Sequence, residues 1–352
     1  MFTFDDNKER ENADTKEGIM SLDLGLNKIF QKFDTLSVGN GKNIAFFKNL
    51  ARSFLRRRCE WCIGIYVCQS LFNFDSPDGI NNPVLTAKDI TDVPALFVAD
   101  PFMVCDRNKW YMFFEVLNGR DNKGDIGLAT SDDGLKWHYQ QIVLDEAFHL
   151  SYPYVFKGDD GYYMIPETYE ANSVRLYKAV NFPNQWSFVK TLLEGSDYVD
   201  SSIFYCNEMW WMFTTSFKGN ILRLYYATDL IGNWIEHPKS PVIQENLNIA
   251  RPGGRVVVND GKIFRYTQDV EDFYGNQVRV FEITELTHTT YQEVAVTNNP
   301  IIKASGRGWN KIGMHNIDPH QTENGQWLAC VDGYRIVFVF GFGERYNFIW
   351  RY

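Results

Sequence analysis

ADPFMVCDRNKWYMFFEV, residues 99–116, reads as a short apolar strand, a polar turn and a second strand dense in aromatics. The pattern returns four times: SYPYVFKGDDGYYMIPET at 151–168, VDSSIFYCNEMWWMFTTS at 199–216, ARPGGRVVVNDGKIFRYTQD at 250–269 and NIDPHQTENGQWLACVDG at 316–333. The stretches after the first three copies repeat as well. GDIGLATSDDGLKWHYQQIVL (124–144), NSVRLYKAVNFPNQWSFVKTLL (172–193) and NILRLYYATDLIGNWIEHPKSPVI (220–243) each read as a third strand, a turn, a Trp and a fourth strand. Trp137, Trp186 and Trp234 hold equivalent places, which suits packing between units. Five units of four antiparallel strands specify an all-β fold, a five-bladed β-propeller. Residues 63–70 precede the first copy and are placed to supply a strand that closes the ring.

Composition agrees. Apolar residues make up 45% of the chain and charged residues 22%, enough to bury a large core. Aromatics reach 16%, which favours strands and also offers faces for sugar stacking. The formal net charge of −9 repels phosphate backbones and argues against a nucleic-acid partner. No run of about 18 apolar residues suggests a membrane span. The acidic start MFTFDDNKERENADTKEG has no apolar core of a secretory signal, so a cytoplasmic location is expected. Six cysteines include Cys59-x-x-Cys62, but no second pair completes a zinc site, and reduced thiols are expected.

Residues 1–58 differ from the propeller, 59–352. The first 18 look disordered, and helices are expected near 19–33 and 43–57, a partly helical N-terminal extension. The second helix begins at Asn43, carries Lys48 and Arg52 and ends in Arg56, Arg57 and Arg58. A basic amphipathic helix can lie on an anionic membrane surface, or pack on the main domain with its charges in water.

In a propeller the start of each first strand and the end of each second strand share one face. The entries carry Asp100, Ser151 with Tyr152, Asp200, Arg251, and His315 with Asp318 and His320. The exits carry Glu115, Glu167, Thr215, Gln268 with Asp269, and Asp332. Carboxylates gathered in one cleft divide acid and base roles when their surroundings push their pKa values apart. Tyr152, Tyr154, Trp210 and Trp211 are candidates to stack on a sugar. The alternative is an ion-pair network around Arg251 that staples the blades. His315, Asp318 and His320 could meet a cation, but hard cations want more oxygen ligands than the sequence identifies, so no metal and no cofactor is assigned.

Around Asp100 the chain resembles the five-bladed glycoside hydrolases of the arabinanase, xylosidase and fructosidase type. That resemblance implies a base or nucleophile at Asp100. It also implies an Asp in the second blade and a Glu in the third, where this chain has Tyr152-Pro153 and Asp200; Glu167 is the nearby carboxyl that can serve as acid. Over about residues 61–332, FVADPFMV, HLSYPYVF, MIPET, VDSSIF, WWMFTTS and ARPGGRV resemble the N-terminal domain of plant glucosamine inositolphosphorylceramide transferases. In those proteins a separate C-terminal domain looks like the glycosyltransferase, so the resemblance implies a glycosyltransferase partner.

Two readings stay open. In one, the funnel cleaves or transfers a sugar in polysaccharide or glycolipid metabolism. Asp100 is base or nucleophile and Glu167 or Asp200 the acid, while Glu115, Tyr152, Arg251, Gln268, His315, Asp318 and His320 hold substrate. In the other, the propeller is a non-catalytic carbohydrate-binding or scaffold module.

Overall fold

The computed structural model of the chain describes residues 55–340, except 78, 196 and 197. The chain divides into two compact units. One takes in residues 59–337 and 348–352 and carries the blades. The other takes in residues 1–58 and 338–347, of which 55–58 and 338–340 are described, all in strands. The helix expected over 19–33 and most of that over 43–57 lie outside the described residues; from Leu55 the backbone is already extended.

Five sheets make the five blades. Blade 1 comprises Ala95–Asp106, Lys109–Asn118, Lys123–Ser131 and His138–Leu144, hydrogen-bonded in that order. Blade 2 comprises Ser151–Gly158, Gly161–Glu167, Ser173–Asn181 and Gln185–Glu194. Blade 3 comprises Tyr198–Cys206, Met209–Ser216, Leu222–Ala227 and the short Ile235–Glu236. In blade 4 the inner strand is broken into Arg251–Pro252 and Val257–Asn259, both paired with Lys262–Asp269, and Gln277–Leu286 and Tyr291–Ala295 lie outside. Blade 5 joins both ends of the described chain: Ile317–Gln321 inside, Trp327–Phe340 in the middle and Leu55–Cys68 beyond it. The strand Leu55–Cys68 therefore closes the ring, pairing in the last blade with a strand from the other end of the described chain.

Turn chemistry explains the hairpins. Arg107–Asn108, Asn207–Glu208 and Asp260–Gly261 all have positive φ. Each pair sits between directly paired residues, as in Asp106↔Lys109, Cys206↔Met209 and Asn259↔Lys262. Two left-handed residues in a two-residue loop match the twist of the strands they join.

Apolar seams between blades hold the ring together. One cluster runs through blades 1, 2 and 3, with Phe102, Phe113, Tyr154, Leu176 and Met212. Others link blade 5 and the closing strand to blade 1, through Ile63, Ile65, Met112 and Leu328, and blade 3 to blade 4, through Phe213, Leu224 and Ile263. The three repeated Trp residues belong to these seams. Their indole N–H groups close their own turns on Gly134 O, Pro183 O and Leu230 O. Trp186 also meets Phe113 of blade 1 edge-on, at 5.3 Å. All six cysteines are unbridged. Cys59 and Cys62 sit three apart on one strand, so their side chains leave opposite faces.

Candidate active site

A bulge re-aims the first strand of three blades. Pairing runs Ala99↔Glu115 then Phe102↔Phe113, Ser151↔Glu167 then Tyr154↔Ile165, and Val199↔Thr215 then Ser202↔Phe213. Two residues thus oppose one. The first bulged residues are Asp100, Tyr152 and Asp200, with φ of 51°, 43° and 50°. A non-glycine residue held there costs on the order of 1–3 kcal/mol and persists only where its surroundings fix it. Hydrogen bonds fix all three. Asp100 N donates to Asp332 Oδ2 at 2.9 Å, and Tyr152 N to Asp100 Oδ2 at 3.3 Å. Asp200 Oδ2 accepts Arg251 Nε at 2.5 Å and Gln268 Nε2 at 2.8 Å.

Blade 5 adds a histidine with its own orienting acid. His315 Nδ1 lies 2.8 Å from Asp332 Oδ1, and Nε2 lies 3.5 Å from Asp100 Oδ1. Asp332 Oδ1 also accepts the backbone N–H groups of His315 and Asn316. Asp100, His315 and Asp332 bring ligand atoms within 4.8 Å of one another, close enough to share a cation. Both Asp332 oxygens are already engaged by N–H donors, so the trio works as a hydrogen-bond network. Trp61, from the ring-closing strand, stacks on His315 with ring centres 4.2 Å apart, and Tyr274 meets the same ring edge-on.

The carboxyl groups do not share one protonation state. Burial pushes Asp100 up to about 7, against the pull of His315. Burial, then Asp100 and Glu167, drives Glu115 well above the carboxylate range; burial, then Asp200, does the same to Glu167. For His315, burial opposes the charge but Asp332 and Asp100 outweigh it, so the net shift is upward. Buried polar atoms without a partner cluster here too: Glu115 Oε1, His149 Nε2, Glu167 Oε2 and Gln268 Oε1. Such atoms are rare in a folded interior and mark places where a ligand or water belongs.

Asp100, Glu115, Glu167, Asp200, Arg251, Gln268 and His315 therefore gather in one buried cluster at the centre of the ring, where the funnel was expected. Three candidates do not. Tyr152 is fully buried, and its phenol lies 2.9 Å from Ser202 Oγ and accepts the Gly254 N–H at 2.7 Å. It braces blades 2, 3 and 4 beneath the acids. Asp318 accepts Met103 N at 2.6 Å and Arg255 Nε at 2.5 Å, while His320 Nε2 lies 3.0 Å from its Oδ2. This second network lies one layer further along the inner strands and ties blades 1, 4 and 5 together. The aromatics proposed for stacking pack into the protein instead: Tyr154 against Phe102 of blade 1, Trp210 against Phe156 of blade 2, and Trp211 against Tyr226 within blade 3. Sequence reasoning passed over Trp61 and His149, which lie outside the repeats, and Arg255, whose role depends on blade 4's broken inner strand.

The family described as glucosamine inositolphosphorylceramide transferase 1, N-terminal, matches residues 58–334. The chain belongs to this family. It is 35% identical over 300 residues to glucosamine inositolphosphorylceramide transferase 1 of Oryza sativa subsp. japonica and 34% identical over 302 residues to that of Arabidopsis thaliana. Each alignment covers 79% of this chain. The chain spans about 40% of the length of these relatives. Its fold is that of a glycosyl hydrolase from Bacteroides ovatus, with a TM-score of 0.55 at 11% identity, covering 76% of this chain and 94% of that one. This chain thus has a glycoside-hydrolase-like propeller fold.

Proposed function

We propose that the funnel binds a sugar and moves protons at a glycosidic oxygen, by hydrolysis or by transfer. One observation carries this reading: a single buried funnel holds Glu167 and Asp100 as carboxyls driven upward beside Asp200, which is ion-paired to Arg251. Groups that hold a proton near neutral pH suit acid–base work. Glu167 gives its proton to the leaving oxygen as the C1–O bond breaks. Asp100, in its ionised form, takes the proton of the incoming hydroxyl as that oxygen bonds to C1, and solvent restores both groups. Hydrolysis and transfer differ in whether water or a sugar supplies that hydroxyl. The hydrolase-like fold and the transferase names of the relatives support a glycan-related role.

The test is a screen of aryl glycosides and nucleotide sugars with wild type, Asp100→Asn and Glu167→Gln. Both variants fold and lose turnover on the best substrate; retained turnover in both overturns the reading. Tyr152 favours a second reading, a non-catalytic module, because a braced phenol stands where the hydrolase resemblance implies an Asp. Sugar binding by calorimetry with no product decides for it.

A glycosyltransferase partner, a cytoplasmic setting and membrane contact through residues 43–58 belong to the same proposal. The sequence supports the last with Lys48 and Arg52, while Arg56, Arg57 and Arg58 fall in the ring-closing strand. Among the described residues no helix is long and apolar enough to cross a membrane. Loss of liposome binding on deleting residues 1–54 supports the contact, and unchanged binding removes it.

A further inference from the structure

His149 stands between blades 1 and 2 and is buried. Its Nδ1 accepts the Gly124 N–H at 3.0 Å. A ring nitrogen that accepts carries no proton, so a neutral ring carries its proton on Nε2. Burial keeps the ring neutral by lowering its pKa to about 4. Nε2 lies 3.5 Å from Glu115 Oε1, and neither atom has a hydrogen-bond partner among the described residues. The seat is shaped for this ring. A Cβ on Gly124 would lie 2.2 Å from Leu150 O and 2.8 Å from His149 Cε1, so only glycine lets the strand come this close.

We propose that His149 is a positioning residue that turns Glu115 so that Oε1 faces the ring N–H and Oε2 carries the carboxyl proton into the funnel. Glu115 then offers a ligand oxygen an O–H donor, distinct from the proton that Glu167 transfers. This deepens the glycan reading and rests on it for the nature of the ligand. The groups facing Glu115 are Asp100, Glu167, Asp332 and Asp200, all acidic, and each disfavours a further negative charge. Those facing His149 are Glu170 and Lys123; Glu170 accepts its backbone N–H.

Glutamine copies the proposed state: its carbonyl takes the His149 N–H and its NH2 replaces the O–H. The experiment uses the full chain without ligand. Thermal unfolding is followed from pH 5 to pH 8 for wild type, Glu115→Gln and Glu115→Ala, and 15N NMR reads the His149 ring of wild type. A carboxyl raised in the folded state loses stability as pH rises above its unfolded pKa, and glutamine does not. Glu115→Gln therefore melts no lower than wild type at pH 5 and a few degrees higher at pH 8, and Glu115→Ala melts lower than Glu115→Gln at both. His149 shows the neutral Nε2–H form throughout. A Glu115→Gln protein no more stable than wild type at pH 8, or a His149 ring that is charged or Nδ1–H at pH 7, overturns the proposal. Neither measurement involves turnover, so failure here leaves the glycan reading standing, and loss of that reading leaves these outcomes unchanged.

Discussion

Asp200 and Arg251 meet at 2.5 Å between the inner strands of neighbouring blades, with both side chains sealed from water. Gln268 donates to the same carboxylate oxygen, so blade 4 grips blade 3 through one buried acid. Arg251 also lies over the ring of Tyr274.

Removing one partner of a buried pair leaves the other as an uncompensated charge, at a cost of about 3–5 kcal/mol. Arg251→Met is expected to lose stability in that range by denaturant unfolding. Adding Asp200→Asn to it should recover part of the loss, because the stranded charge goes with it.

Asp100 sets a pH dependence whose sign follows from its raised pKa of about 7. The unfolded carboxyl titrates near about 4, so between these values the folded state binds more protons. Stability from Asp100 is thus full below the unfolded value and is lost as pH rises through about 7. His315, also raised, acts in the same direction, whereas His149, lowered to about 4, opposes both between that value and the usual histidine range. Comparison with Asp100→Asn isolates the carboxyl. Wild type should lose up to about 4 kcal/mol relative to the variant from pH 4 to pH 7, read by urea unfolding at each pH.

Tyr152→Phe removes the hydroxyl that accepts Gly254 N and contacts Ser202. A buried N–H left without a partner costs about 1–3 kcal/mol. The variant should unfold earlier in urea by that amount, with the five-bladed fold intact by circular dichroism.

Gly254→Ala should not accumulate as folded protein. A Cβ there would lie 1.8 Å from Ile317 O, and φ is 145°, a conformation that side chains rarely adopt. Gly254 bridges directly to Ile317, which joins the inner strands of blades 4 and 5. Soluble yield and near-ultraviolet circular dichroism check the outcome.

The ring was legible because its period comes from packing. Every blade must bury strands against its neighbours, so the aromatic second strand and the turn Trp recur whatever the entry residue does. The funnel's membership was legible only at the ends of strands, where Asp100, Glu115, Glu167 and Gln268 fall by register. Depth was not. Asp318 lies two residues past Asn316 on an inner strand, and each residue advances about 3.3 Å. That step carries Asp318 and His320 out of the acid layer to Arg255. Tyr152 shares its bulge position with Asp100 and Asp200, but a phenol is long enough to cross the channel, so equal register gave a different job. His149 carries no repeat signal, because its seat is made by Gly124 and the connection between two blades.

Trp61 lies near the start of the described chain and His315 near its end, yet the two rings touch. A ribosome therefore releases the indole more than two hundred residues before the imidazole it covers. No nascent chain that stops short of blade 5 can present a finished funnel, because His315 and Asp332 are still to come. The site is assembled late in synthesis, from one residue made early and one made long after it.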